Sequence, residues 1–288
     1  MSEIILYTDS CSSLTPEIID KCNVKVIPIY FTMGEKEYDP LKEEISVEDF
    51  YNTIESNLTA KTSAINPTSF CDIFEKELAQ GNNVIYFSMS SGLSSTYNNA
   101  VTAERELNEK YPGKIVVIDT LKGGMGMAFD IEKTHELIEK GLNIQQIKEE
   151  IDKNKLDVEC LFAPGSIDYL KRSGRISPTL ALGAKVMNIS PIINANEMGK
   201  LAIKSLCIGR KKTLTTMANR VATTIHETLK KIYLCYTNNK SEMEFVFSKL
   251  KALLPGADIK VSPIDCSLGC HCGPRTLALF YRRKAKHK

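Results

Sequence analysis

The chain has 288 residues, of which 43% are hydrophobic and 25% are charged, a composition that excludes a wholly disordered protein. Its length corresponds to about two domains. Although the net charge is only +2, residues 1–150 carry a net charge of −12 and residues 151–288 a net charge of +14. The asymmetry indicates two modules, of which the second is suited to anionic ligands or acidic partners. Alternatively, the opposite charges serve only to attract the two halves to each other.

The pattern of apolar residues excludes two further classes. No apolar run approaches the ~20 residues that a membrane-spanning helix needs. The N-terminal sequence MSEIILYTDS lacks the basic and apolar regions of a signal peptide. We therefore expect a cytoplasmic protein whose nine cysteines are reduced thiols, an odd number that also argues against a complete disulfide framework.

The first half alternates short apolar runs with amphipathic stretches. Runs rich in β-branched residues predict strands over residues 4–7, 24–31, 84–87 and 114–118. A capping-box pattern at Ser46 predicts a helix to about Glu55, and amphipathic patterns predict helices over residues 94–111, 125–140 and 143–153. Because a loop and a helix follow each of the two later strands, the first half is predicted to consist of parallel βαβ units.

The second half combines strands and helices in a less regular order. Strands are predicted over residues 157–162, 189–194, 201–207, 232–236 and 258–263, helices over 213–231 and 241–254, and a loop over 268–274. The charge balance reverses near the first of these strands, so we divide the chain into domains 1–156 and 157–288. The predicted fold class is α/β, with an N-terminal parallel-sheet βαβ domain and a C-terminal α/β domain that contains a mixed sheet.

Hydroxyl-rich loops follow three of the predicted strands, at the sheet edge where α/β proteins bind ligands. They contain Ser10, Ser94 and Thr120, and a fourth loop with Thr62 and Ser63 precedes a further predicted helix. Each loop alone is typical of helix caps and turns. Together, their hydroxyls and the adjacent helix N-termini favour a site for a small anion.

His271 is the strongest candidate for a functional imidazole, because the other three histidines lie in predicted helices or in the basic tail. Its neighbours Cys270 and Cys272, with Cys266, raise a zinc alternative, but the sequence has no second, distant ligand pair. Neither a phosphate-binding G-x-x-x-x-G-K-[ST] motif nor a nucleophile-bearing G-x-S-x-G motif occurs. These absences argue against a nucleotide site and against an α/β-hydrolase nucleophile.

Two basic segments stand out in the second half. Arg175 follows a predicted helix end capped by Gly174, and Arg210 begins an Arg-Lys-Lys cluster. Each segment is compatible with an ordinary solvated face or with a phosphate-proximal or partner-docking surface. Neither is interleaved with aromatic residues, and no nucleic-acid-binding motif is present, so nucleic acid is not an expected partner.

These segments resemble, in the same order, the DegV family of bacterial fatty-acid-binding proteins, which includes the acyl-binding subunit of fatty acid kinase. The segments that carry the resemblance are Thr8-Asp9-Ser10, Thr62-Ser63 with Pro67, Ser91-Gly92-Leu93-Ser94, residues 170–177, Ser190-Pro191-Ile192, Arg210-Lys211-Lys212 and Gly269-x-His271-x-Gly273-Pro274. They extend over almost the whole chain. The family loop that contains the histidine usually ends Gly-Pro-Gly, whereas Arg275 follows Pro274 here.

The resemblance implies one buried long-chain fatty acid, such as palmitate or oleate. Its carboxylate is expected at Thr62, Ser94 and His271, with Ser63, Ser10 and Thr120 as secondary polar candidates. Arg175, and less closely Arg210, are expected to serve kinase docking or to lie near phosphate. We therefore expect a non-catalytic carrier without cofactor or metal that presents the carboxylate to a separate ATP-dependent kinase subunit. It would contact the membrane surface transiently and carry fatty acid or acyl-phosphate for phospholipid synthesis.

Two alternatives stay open at this point. One is a stand-alone hydrolase that uses Ser94 or Cys270 with His271. The other is a DNA-binding regulator, which only the basic charge suggests. For the carrier, two hydroxyls and an imidazole would offset the cost of burying a carboxylate, and a protonated His271 would add a complementary charge.

Overall fold

The computed structural model describes residues 2–42, 44–56, 58–177 and 189–284. The elements of the first half are β1 (Ile4–Asp9), α1 (Pro16–Cys22), β2 (Val24–Ile27), β3 (Phe31–Met33), β4 (Lys36–Tyr38), α2 (Val47–Glu55), β5 (Ala60–Thr62), α3 (Pro67–Leu78), β6 (Asn83–Ser88), α4 (Thr96–Lys110), β7 (Ile115–Asp119), α5 (Ala128–Glu139) and α6 (Ile144–Asn154). Those of the second half are β8 (Val158–Ala163), α7 (Asp168–Arg172), β9 (Ile189–Ala195), β10 (Leu201–Ile208), α8 (Arg210–Thr224), β11 (Lys231–Tyr236), α9 (Lys240–Leu253), β12 (Asp258–Pro263), α10 (Cys266–Cys272) and β13 (Leu277–Arg282). The predicted α/β class is confirmed.

The first half is built on a four-stranded parallel sheet with the strand order β2-β1-β6-β7. β6 and β7 are almost entirely buried, the pattern expected of parallel strands that helices cover on both faces. The register pairs Thr8 with Phe87 and Ser88 with Asp119, so β1, β6 and β7 end at one edge of the sheet. Three of the predicted hydroxyl-rich loops therefore begin at the same edge.

The second half is built on a six-stranded mixed sheet with the order β10-β9-β8-β13-β11-β12. Of its described strand pairs, only β11 and β12 are parallel. Leu161 and Leu234 belong to a core that includes residues of α8 and α9, whereas the alternating neighbours Phe162 and Tyr233 join the core of the parallel sheet. The predicted mixed sheet is confirmed, and the two halves share a hydrophobic core.

A small antiparallel sheet with the order β4-β3-β5 is absent from the sequence prediction. The single strand predicted over residues 24–31 is wrong, because β2 ends at Ile27 and β3 begins at Phe31. Pro28 lies between them and has no N–H to donate to a strand ladder. In the small sheet Phe31 pairs with Thr62, which fixes the position of Thr62 relative to the rest of the fold.

The loop predicted over residues 268–274 is also wrong for most of its length, because residues 266–272 form α10. The Asp265 side chain caps this helix by accepting a hydrogen bond from the Leu268 amide at 3.1 Å. Gly269 permits close packing rather than a loop, since a Cβ atom there would clash with the Tyr51 hydroxyl oxygen. His271 therefore lies on a helix that is packed against α2.

The remaining differences concern boundaries. α8 ends at Thr224, well before the predicted end at residue 231, because the chain turns into an extended bridge between Ile225 and Arg283. The domain division predicted at residue 156 lies between α6 and β8 and stays a prediction. Within the described ranges, no helix is both long and apolar enough to cross a membrane.

Candidate ligand-binding site

A cavity of about 270 Å³ is lined by residues of both halves of the chain. Its wall is mainly apolar, with Met89 and Leu93 from the first half and Phe162, Ala278 and Phe280 from the second. Most of these side chains also belong to the shared hydrophobic core, which holds the wall in place. A ligand held here would exchange water for apolar surface along most of its length.

One part of the wall is polar and contains a hydrogen-bonded pair from distant parts of the chain. Thr62, the last residue of β5, has its Oγ1 atom 2.8 Å from Nε2 of His271 on α10. The Nδ1 atom of His271 is buried and has no hydrogen-bond partner among the described residues. The imidazole is thus held through its Nε2 atom, by Thr62.

His271 is neutral near pH 7. Burial, together with the nearby positive charge of Arg175, lowers the pKa of the imidazole from 6.5 to about 4. The expectation that a protonated His271 supplies charge is therefore wrong for the protein without ligand. A neutral imidazole still carries one N–H, so His271 contributes by hydrogen bonding rather than by charge.

Two further predicted residues, Ser94 and Arg175, line the same cavity. Ser94 precedes α4, where its Oγ atom accepts a hydrogen bond from the Thr96 amide at 3.2 Å and lies 2.9 Å from the Thr96 hydroxyl oxygen. The partly buried Arg175 donates to the carbonyl oxygens of Leu93, at 3.1 Å, and of Ser173. These bonds orient the guanidinium beside the loop that holds Ser94. The structure therefore brings Thr62, Ser94, Arg175 and His271 to one cavity.

Three predicted secondary residues are not among the described residues that line the cavity. Ser10 accepts a hydrogen bond from the Ile29 amide at 3.0 Å, and Thr120 donates to the Ser88 carbonyl at 2.9 Å. Both hydroxyls thus tie buried backbone segments together. Ser63 is exposed. Ser10 and Thr120 therefore belong to the framework around the cavity, and none of the three side chains is in its wall.

Arg210 and Arg275 also lie outside the cavity wall, and they share one carboxylate. Nη2 of Arg210 lies 2.8 Å, and Nη2 of Arg275 3.1 Å, from the oxygens of Glu242. Arg210 also donates to the backbone carbonyls of Ala163, Pro164 and Arg275, so its guanidinium joins three other segments of the second half to α8. Arg275, where the resemblance leads us to expect glycine, adopts a φ of +56°, and its guanidinium donates to Glu242. A docking role of Arg210 stays a prediction.

A buried ion pair at the cavity was not predicted from the sequence. Lys122 is one of the lining residues, and its ammonium donates to Asp130 at 2.8 Å and to the Thr120 carbonyl at 2.7 Å. Both charged side chains are almost completely buried. The signal available in the sequence is a lysine directly before the glycine-rich run of residues 123–126. The pair anchors the loop that forms this part of the wall.

The thiols near the site do not support a nucleophile or a metal centre. Burial raises the pKa of the Cys272 thiol to about 12 and holds the pKa of the Cys270 thiol well above its usual value. Among the described contacts, His271 bonds to Thr62 and not to Ser94 or Cys270. Among the residues that the structure describes, no group of three or more His, Cys, Asp and Glu side chains could hold a metal ion. The hydrolase alternative gains no support.

A second cavity, of about 250 Å³, meets the first at the polar wall. Thr62, Arg175 and His271 line both cavities, and Lys61 and Arg172 line the second. The polar groups therefore lie between the apolar first cavity and a basic second cavity.

The fold and the site define an α/β protein in which a parallel and a mixed sheet enclose an apolar cavity with one polar wall. The chain belongs to the DegV family, because the family model, described as an uncharacterised protein of the DegV family, matches residues 3–284. The resemblance drawn from the sequence is thereby confirmed.

Relatives and solved structures match over nearly the full length of the chain. Two DegV domain-containing proteins of Clostridium perfringens are 31% and 28% identical over 98% of this chain, and the matches cover 99% and 98% of those proteins. A stearic acid-binding protein from Eubacterium ventriosum has a TM-score of 0.85 at 23% identity and 99% coverage of both chains. A DegV family protein from Thermus thermophilus, described as fatty acid binding, has a TM-score of 0.84 at 24% identity over 98% of this chain and 100% of that one. At these identities the solved structures establish a shared fold.

Proposed function

We propose that this protein binds one long-chain fatty acid, such as palmitate or oleate, with its acyl chain in the apolar cavity and its carboxylate at Thr62, Ser94 and His271. The observation that carries the proposal is an apolar cavity whose polar wall contains the Thr62–His271 pair and Arg175. Two proteins of the same fold are named for fatty acid binding, which supports the assignment.

The cavity suits both parts of such a ligand. Burial of an acyl chain is favourable by ~0.8 kcal/mol per methylene, so about fourteen methylenes contribute on the order of 11 kcal/mol before the binding entropy is subtracted. The carboxylate is costly to bury unless hydrogen-bond donors surround it. The hydroxyls of Thr62 and Ser94 and the fixed charge of Arg175 lower that cost.

In this proposal His271 orients the hydroxyl of Thr62. A neutral imidazole that carries its proton on Nε2 donates to Oγ1 of Thr62 across the observed 2.8 Å. Because that oxygen then accepts the bond from His271, the hydroxyl proton of Thr62 is directed to the ligand carboxylate. The positive charge of the site comes from Arg175, whose own field helps to keep His271 neutral.

We further propose that the protein does not itself catalyse a reaction. Instead, it presents the carboxylate to a separate ATP-dependent fatty acid kinase subunit in the cytoplasm. The basic second cavity, with Lys61 and Arg172 beside the carboxylate site, suits the phosphoryl group that the kinase would transfer to the fatty acid carboxylate. The chain has no Walker-type motif of its own. The protein then carries fatty acid or acyl-phosphate for phospholipid synthesis and contacts the membrane surface transiently to exchange it.

Mass spectrometry of lipids extracted from the purified protein tests the binding proposal. We expect one fatty acid per chain after native purification or after loading with palmitate. The absence of any fatty acid under conditions that preserve complexes, with no uptake of added palmitate or oleate, would overturn it.

The kinase partnership needs a separate experiment. Acyl-phosphate, trapped by hydroxylamine as the hydroxamate, should form only when the kinase subunit, ATP and the loaded protein are present together. Equal yields with and without this protein would contradict the carrier role while leaving fatty acid binding intact.

A further inference from the structure

The wall of the apolar cavity includes part of a glycine-rich run, residues 123–126, that follows β7. Backbone conformation and packing account for the glycine at two of its positions. Gly124 has a φ of +63°, and a Cβ atom there would lie 3.1 Å from Cζ of Phe280. A Cβ atom at Gly126 would lie 2.8 Å from Cδ1 of the same ring. The Phe280 ring therefore packs directly against the backbone of Gly124 and Gly126.

Gly123 has no such explanation. Its φ of −143° and ψ of 169° describe extended backbone that any residue adopts. A Cβ atom there would have one described heavy atom outside its chain neighbours within 4 Å, Cδ1 of Leu268 at 3.8 Å. Gly123 and Leu268 both line the cavity. Neither backbone conformation nor packing requires glycine at this position, and the space beside it is the cavity.

Gly123 lies on a part of the wall of the first cavity that the second cavity does not share. The second cavity shares Thr62, Arg175 and His271 with the first, whereas Gly123 and Leu268 are not among the described residues that line it. A fatty acid whose carboxylate meets the polar groups and whose chain fills the cavity would place methylenes beside Gly123.

We propose that Gly123 sets the length of acyl chain that the cavity accepts, because the missing side chain leaves room for the distal part of a long-chain ligand. This inference rests on the proposed fatty acid binding and names the residue that determines its specificity. A side chain at this position would occupy the space of distal methylenes. Each methylene excluded from the cavity should reduce affinity about four-fold.

Gly123→Ala, Gly123→Val and Gly123→Leu test the proposal against decanoate, dodecanoate, myristate, palmitate and stearate. In the wild type we expect affinity to rise with chain length through palmitate. In the variants the rise should stop at progressively shorter chains, with the largest loss for stearate in Gly123→Leu. If Gly123 faces the distal part of the ligand, the tail of decanoate ends before the added side chain, and decanoate should bind all four proteins alike. Ala202→Val, which adds bulk on β10 at a residue that does not line the cavity, serves as the control.

The outcomes separate the two proposals. If Gly123→Leu melts like the wild type and keeps its chain-length profile, the inference is overturned. An equal loss for every acid, decanoate included, also overturns it, because the added side chain then acts at the carboxylate or on the whole fold. If Gly123→Leu does not fold, the smaller Gly123→Ala decides by the same criteria. A wild type that binds no acid of any length refutes the proposed function instead.

Discussion

Replacing Thr62 by valine removes one hydroxyl and keeps the shape of the side chain, and we expect this change to weaken palmitate binding about thirty-fold near neutral pH. The hydroxyl donates to a charged carboxylate in the proposed complex, and such a hydrogen bond contributes about 2 kcal/mol. Since about 1.4 kcal/mol corresponds to a ten-fold change in affinity, the loss amounts to about thirty-fold.

The 2.8 Å contact between Thr62 and His271 adds a second part to the prediction. If His271 directs the Thr62 proton, then Thr62→Val and His271→Ala remove parts of one interaction. The double variant should therefore bind only slightly more weakly than the worse single variant, so that the two free-energy losses are not additive. Independent donors would instead give losses that add.

Calorimetric titration with palmitate, or displacement of a fluorescent fatty acid, measures both effects. Ser63→Ala is the matched control, because Ser63 is the adjacent exposed hydroxyl residue and does not line the cavity. Hexadecanol, which has no carboxylate, should lose little affinity in Thr62→Val. Full palmitate affinity in the Thr62→Val, His271→Ala double variant would refute the assignment of this pair.

Three other measurements concern groups around the cavity. Lowering the pH from about 6.5 to 4 should cost the ligand-free wild type about 3 kcal/mol at His271, because the unfolded state takes up a proton that the buried imidazole, with a pKa of about 4, does not. His271→Gln should remove this contribution, as measured by thermal melts over the same pH range. Burial raises the pKa of Asp9 to about 7, so Asp9 stabilises both proteins as the pH falls and does not distinguish them. Coincident pH profiles of the wild type and His271→Gln would contradict the expectation. Arg210→Ala should cost about 2 kcal/mol of stability, because it removes one of the two guanidinium partners of the partly buried Glu242 carboxylate and leaves several backbone carbonyls unpaired. It should leave palmitate affinity unchanged, and lost affinity at an unchanged melting temperature would contradict this structural role. Bound palmitate should slow maleimide labelling of the cavity thiol Cys272 relative to the more accessible Cys71, as followed by peptide mass spectrometry, and equal rates with and without palmitate would place the ligand elsewhere.

The parallel sheet was predictable from the sequence because β6 and β7 are continuous buried runs rich in β-branched residues, and such runs carry a strong local signal. α10 was not predictable in the same way. Its cysteines and glycine have weak helix propensity, and the helix depends on the Asp265 cap and on the fit of Gly269 against Tyr51. Those contacts come from parts of the chain that no local pattern connects.

The candidate site, too, was predictable from the sequence only in part. Resemblance to the family named Thr62, Ser94 and His271, and the structure brings all three to one cavity. Their electrostatic state was not predictable, because the pKa of His271 depends on its burial and on the charge of Arg175. Gly123 was missed as well, since a glycine in a glycine-rich run looks like part of a turn until the space beside it is known.

The Thr62–His271 contact joins residues 209 positions apart in the sequence. A ligand carboxylate that accepts a hydrogen bond from the Thr62 hydroxyl, which His271 orients, therefore favours the state in which these two distant parts of the chain are in contact. At a hundred-fold excess over its Kd, a fatty acid that binds only the folded state adds about 3 kcal/mol to the free energy of unfolding. The loaded protein should accordingly resist unfolding and proteolysis better than the empty one, so that its cellular lifetime should rise with the supply of the proposed ligand.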